Sequence, residues 1–161
     1  MQELRSDSLS HLKQLRGHRY FRALTPQTLN QDSVKTYSWT LRNATTLLPN
    51  NSRFEGLKSS GRLDVIEDDE LLNSIMDHYQ ELIPSLTMNT SLYSSYKREN
   101  MNKYLDTHLS ADGHNLPAVM ASLPMQNYLN RSLDMRGILL GYHTVMQHSR
   151  DLIRQLDHHL K

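Results

Sequence analysis

The chain has no cysteine, so disulfides, thiol nucleophiles and cysteine-based zinc sites are excluded. It has only six glycines and five prolines in 161 residues, gathered at a few places. Sandwiches and barrels need turn residues at regular intervals, so they are disfavoured too. No apolar run approaches the ~18 residues of a membrane span. No signal-peptide core is present either, and the chain as written is expected to be soluble. Charge is nearly balanced at +1, which gives no general basis for nucleic-acid binding, and none is expected.

What is present is a globular composition, 37% apolar and 22% charged, in one helical domain over residues 1–161. The charge is unevenly spread. Residues 1–24 carry Arg5, Lys13, Arg16, Arg19 and Arg22 against Glu3 and Asp7, whereas residues 64–81 carry seven acids and no base. These read as mutually attracting helices or solvated faces; the other reading is a basic arm for an anionic surface.

Leu4, Leu9, Leu12, Leu15, Phe21 and Leu24 recur at helical spacing and predict a first helix with those residues inside. Gly17, in its middle, costs about 1 kcal/mol relative to alanine. A second helix is expected from Gln27 or Asn30 to Leu48, with Val34, Tyr37, Leu41, Ala44 and Leu48 as its stripe and Trp39 at a seam. Pro49-Asn50-Asn51 ends it. Ser52 and Glu55 have capping-box spacing for a short helix that buries Phe54 and Leu57. Gly61 supplies a left-handed C-terminus. Residues 62–66 read as an extended connector whose hydrophobics plug the bundle.

Glu67-Asp68-Asp69-Glu70 then caps the helix carrying Leu71, Ile75 and Tyr79, without the alternating ligands and glycine of a calcium loop. Pro84 kinks that helix or starts the next, in which Thr87 to Ser95 is weakly helical and reads as loop-prone. Ala111 to His114 is a turn. Met125 to Leu160 predicts one closing helix roughly 50 Å long, with Gly137 and Gly141 as points of close approach. The expected fold is all-α: an antiparallel bundle of four to five helices, with a long C-terminal helix and a short helix plus connector at residues 52–66.

Nine histidines are the only chemically suggestive excess. His11 and His18, seven apart, share a helix face, whereas His143 and His148, five apart, do not. HExxH, paired Glu-x-x-His, GxSxG, GxGxxG and the P-loop are all missing, so no catalytic, cofactor or metal residue is assigned. The eight tyrosines mostly sit on or beside apolar stripes. His78, Tyr79, Tyr142 and His143 are the candidates for lining a ligand pocket. Ser52, Phe54, Glu55 and Gly61 are the structural residues of the corner.

Leu48 to Gly61, with Leu63, Val65-Ile66, Leu71 and Ile75 to Tyr79 behind it, resembles an uncharacterised bacterial family of single-pass membrane-anchored proteins. Its members carry a phenylalanine, "LKSSG", an isoleucine-rich turn and a helix ending in a tyrosine pair, which here is His78-Tyr79. Gly141-Tyr142 and Leu152-Ile153 through Leu160 are similar to the family's end. The resemblance implies a basic N-terminus and one membrane helix ahead of this domain. The domain would then lie on the periplasmic side of the bacterial inner membrane. It implies no catalytic residue.

The leading expectation is a non-enzymatic scaffold or interaction domain at that membrane surface, with a protein partner or a second copy. One alternative is a small-ligand sensor with a Tyr/His-lined pocket between helices. The other is a metal-dependent enzyme using clustered histidines.

Overall fold

The computed structural model of the protein describes residues 1–159, and all regular structure among them is helical. α1 (Gln2–Arg22), α2 (Gln31–Arg42) and α3 (Ser52–Ser59) are followed by a 3-10 turn, Arg62–Val65. One continuous helix then covers residues 69–108. It comprises α4 (Asp69–Met76), a first π-turn (Asp77–Leu82), α5 (Ile83–Tyr96), a second π-turn (Lys97–Asn102) and α6 (Lys103–His108). α7 (Leu116–Ala121), α8 (Leu123–Ser132) and α9 (Arg136–His159) complete the bundle. The all-α class, the short helix at the corner and the long C-terminal helix are as the residue pattern predicts.

Asp77, Ile83, Lys97 and Lys103 all keep right-handed helical torsions, so the π-turns widen the helix without breaking it. Their cause lies in the burial pattern. Tyr93, Lys97, Met101 and Leu105 are buried at successive steps of four. In a regular helix each such step drifts ~40° around the axis. The widened turn absorbs that drift and keeps all four on one face. At the first π-turn, Pro84 follows directly; a regular turn would set its ring against the Gln80 carbonyl. Buried Thr90 and Tyr93 hold the Thr87–Ser95 stretch helical despite its propensity, with Thr87 Oγ1 donating to the Ile83 carbonyl at 2.8 Å.

Two apolar clusters make the core. One gathers Phe21, Leu41, Met101, Leu105, Met120 and Leu129; the other gathers Leu4, Leu47, Leu86, Met135, Tyr142 and Val145. α1 packs on α2, α8 and α9 and passes through both clusters. Its inward face differs from the leucine stripe. Leu9 and Leu12 are exposed, while His11, Gln14, Gly17 and His18 are fully or almost fully buried between Leu4 and Phe21.

Other elements also depart from the pattern. α2 stops at Arg42 and the chain runs on extended, so Leu47 is buried and Leu48 exposed. The Ser52–Glu55 capping box does not form: Asn51 is the N-cap, and the Ser52 hydroxyl donates to Asn50 Oδ1 at 2.9 Å. Residues 62–65 coil into a 3-10 turn; Leu63 and Ile66 turn inward while Val65 stays exposed. The closing helix is two helices, because the chain bends at Leu133–Met135 to bury Met135 completely. Leu160 lies outside the described residues. A Cβ on Gly17 would sit 2.0 Å from Thr40 Oγ1, so glycine there is what lets α1 approach α2. A Cβ on Gly141 would sit 3.0 Å from Leu86 Cδ1, whereas one on Gly137 would meet open space.

Candidate functional site

Between the two apolar clusters lies a polar layer in register across three elements. α1 contributes His11, Gln14 and His18, the long helix contributes Lys97 at the start of its second π-turn, and α8 contributes Ser132 at its end. Each of these side chains is fully buried. Among the described residues Lys97 has no carboxylate partner. Its ammonium donates to the Thr40 and Asn43 carbonyls at the end of α2 and to Gln14 Oε1 at 3.3 Å. Those carbonyls are among the last of α2, without partners inside their own helix, and the helix dipole favours a cation there. Lys97 therefore caps α2 from a distant part of the chain, and this is why α2 ends at Arg42.

His18 Nε2 donates to the same Thr40 carbonyl at 2.9 Å, which uses both lone pairs of that oxygen. His11 packs between the rings of Tyr142 and Tyr93, with centroids at 5.4 and 5.8 Å. Burial first, and then the Lys97 charge, pushes His11 and His18 down to about 4, so both are neutral at pH 7. Burial likewise pushes Lys97 down to about 7 and raises the Tyr93 and Tyr142 phenols. Among the described residues neither phenol oxygen has a hydrogen-bond partner, and His11 is left with at most a weak contact to the Thr45 backbone. This layer is closed to solvent.

The open site is the corner. The first π-turn sends His78 inward and sets Tyr79 under Phe54 of α3, their rings stacked at 4.6 Å and 9°. Facing α9 supplies His148, whose Nδ1 lies 3.3 Å from His78 Nδ1 in nearly parallel rings. Centroids at 5.4 Å with nitrogens this close mean that the rings meet edge to edge, one N–H donating to the other nitrogen. Ser74 Oγ reaches His148 Nε2 at 3.4 Å. Burial, then His148, then the chain's amino terminus push His78 down to about 4.

Above this pair opens a groove of about 500 Å³. Its walls are Phe54 and Leu57 of α3, Ile66 of the connector, and Leu152, Ile153 and Leu156 of α9. Leu57, Ile153 and Leu156 are exposed. Glu3 and Arg53 are its charged lining residues, and only uncharged side chains line it from the acidic stretch 64–81. Six of that stretch's seven acids are exposed, and Asp68 caps α4 through Leu71 N at 2.8 Å while accepting from His159 at 2.9 Å. Among the described residues no ion pair joins this stretch to the basic residues of α1.

The four pocket candidates are thus dispersed. His78 and Tyr79 line the corner groove, Tyr142 is fully buried beside His11, and His143 is exposed on α9. Phe54 and Gly61 shape the corner, the glycine with φ +68°, and Glu55 is exposed on α3. A lysine and a glutamine read as surface residues by type; the spacing of four from Tyr93 to Leu105 is the sequence signal for Lys97, and Gln14 has none.

Among the described residues no group of three or more His, Asp or Glu comes together as a metal ion would require. None of the described helices is long and apolar enough to cross a membrane. Comparison with protein-family models, with curated proteins and with solved structures finds no match.

Proposed function

We propose that this is a non-enzymatic interaction domain whose corner groove receives an amphipathic helix of a partner protein at a bacterial membrane surface. The observation that carries the reading is the groove itself. It is apolar along its walls, with Glu3 and Arg53 as its charged lining residues and the exposed acids of residues 64–81 adjoining it in the chain. A helix with an apolar stripe matches the walls by burial of that stripe, and basic flanks would suit the exposed acids that adjoin the lining residues Leu63, Ile66 and Ile75 in the chain. The two histidines beneath the groove are engaged with each other, and the π-turn fixes the wall above them. Tethering through an upstream membrane segment on the periplasmic side belongs to the same proposal.

A photocrosslinking amino acid at Ile153, inside the groove, and at exposed Leu140, outside it, tests this in the source cells. The Ile153 position is expected to give a discrete adduct with another protein that disappears when Leu156→Asp is added. Leu140 is expected to give none. An adduct with a second copy of this chain, or no adduct specific to Ile153, overturns the reading of a separate partner.

A further inference from the structure

At the opposite end of the bundle from the corner, a second cavity of about 640 Å³ opens between α2, α6 and the loop before α7. That volume is in the range of small-molecule sites. Its apolar walls include Phe21, Trp39, Leu41, Leu105 and Leu116, and Trp39 is the chain's only tryptophan. Its polar lining comes from Gln31, Ser38 and Arg42 on α2 and from Asp112 and His114 at a rim before α7, and a few placed polar groups of this kind orient a small ligand.

That rim is built by the loop from Ser110 to Asn115. Asn115 Oδ1 accepts from Ser110 N and from Ser110 Oγ, both at 2.9 Å, and Asn115 Nδ2 donates to the His108 carbonyl at 2.8 Å. Gly113, at φ +71°, makes the turn that brings His114 to the cavity mouth. His114 Nδ1 then faces two acceptors, Asp112 Oδ1 at 2.7 Å and Ser110 Oγ at 3.1 Å. The Ser110 hydrogen already goes to Asn115, so Nδ1 must carry the proton. In the neutral imidazole this leaves Nε2 as a lone-pair acceptor available to a ligand. The hydrogen bond from His114 also holds the Asp112 carboxyl below its usual range.

Arg42, the one lysine or arginine among the lining residues, already pairs with Asp106, and beside a neutral His114 the Asp112 carboxylate makes the rim unfavourable for an anionic head. We propose that this cavity binds an uncharged, largely apolar molecule with one hydroxyl group, its body against Trp39 and its O–H donated to His114 Nε2. A phenol with a short alkyl tail has that chemistry.

Trp39 makes the test direct. The intact chain is titrated with 4-pentylphenol, 4-pentylbenzoate and pentylbenzene while its tryptophan emission is followed. The phenol is expected to give a saturable change and to bind about tenfold more tightly than either comparator, the worth of one net hydrogen bond. His114→Ala is expected to erase that preference and leave hydrocarbon binding in place. Ser38→Phe, at an exposed position on the cavity wall, is expected to abolish binding of all three. Leu156→Asp in the corner groove is expected to change nothing, which separates this cavity from the partner site. No saturable change with any ligand, or an equal preference for the phenol in the His114→Ala protein, overturns the proposal.

Discussion

The long helix widens twice, and each widening carries an ionisable side chain inward to a different fate. At the second π-turn Lys97 meets only oxygens: two carbonyls at the end of α2 and the Gln14 amide. At the first, His78 meets another histidine on the floor of an open groove. The inner site joins three parts of the chain and is sealed. The outer one joins two helices and borders solvent. The contrast teaches that the same local device fixes the fold where it is enclosed, and shapes a surface where it is not.

The contrast breaks most severely at the seam over Lys97. Gly17→Ala puts a methyl group against Thr40 Oγ1, and α1 and α2 must separate. A loss of about 3 kcal/mol in urea unfolding is expected, more than the gain in helix propensity can offset. Gly137→Ala, facing open space, is expected to be neutral or stabilising by less than about 1 kcal/mol. Equal effects at the two glycines would remove the close approach from the account.

Lys97→Ala leaves a cavity and orphans the Asn43 carbonyl, with an expected cost of about 3 kcal/mol. Lys97→Met fills the space and should recover part of that. Denaturant midpoints of the two variants measure the difference. A fully stable alanine variant would show that the buried ammonium caps nothing.

Acid sharpens the comparison further. His11 and His18 hold at about 4 when folded, against an ordinary 6.5. Between those values the unfolded chain binds protons that the folded chain refuses. Their contribution is therefore complete above pH 6.5 and is lost as pH falls toward 4. The slope should approach ~1.4 kcal/mol per pH unit for each imidazole. His11→Gln combined with His18→Gln should flatten it, as equilibrium unfolding at stepped pH will report.

The smallest effect is expected at the outer site. His148→Ala removes the second-largest of the influences that hold His78 down, after burial itself. NMR titration should then show His78 moving up from about 4, with stability changed by less than about 1 kcal/mol. An unmoved His78 would mean that the pair is not coupled.

Much of this architecture was legible in the residues. Asp68 caps α4, Gly61 turns left-handed after α3, and Phe54 is buried, each for the local reason its residue type supplies. The inward face of α1 was not legible, because its leucines argued for the wrong side. Burying His11, Gln14 and His18 makes sense only beside Lys97, which lies 83 residues from Gln14 in the chain. The end of α2 was hidden for the same reason, since its cap comes from another helix. The π-turns did leave a trace, in the steps of four from Tyr93 to Leu105 and in Pro84. The site candidates share the limit: His78 carried no sign of His148, and no local pattern joined Trp39 to His114.

The account rests on a lysine held inside the protein against the end of α2. The direct measurement is unfolding free energy between pH 7 and 10.5 for the native chain and for Lys97→Met. Folded Lys97 titrates at about 7 and unfolded lysine at 10.5, so across that window the unfolded state binds the extra proton and stability rises with pH. The native chain should show a rise that is absent from the methionine variant. The same pH dependence in both proteins would contradict the account.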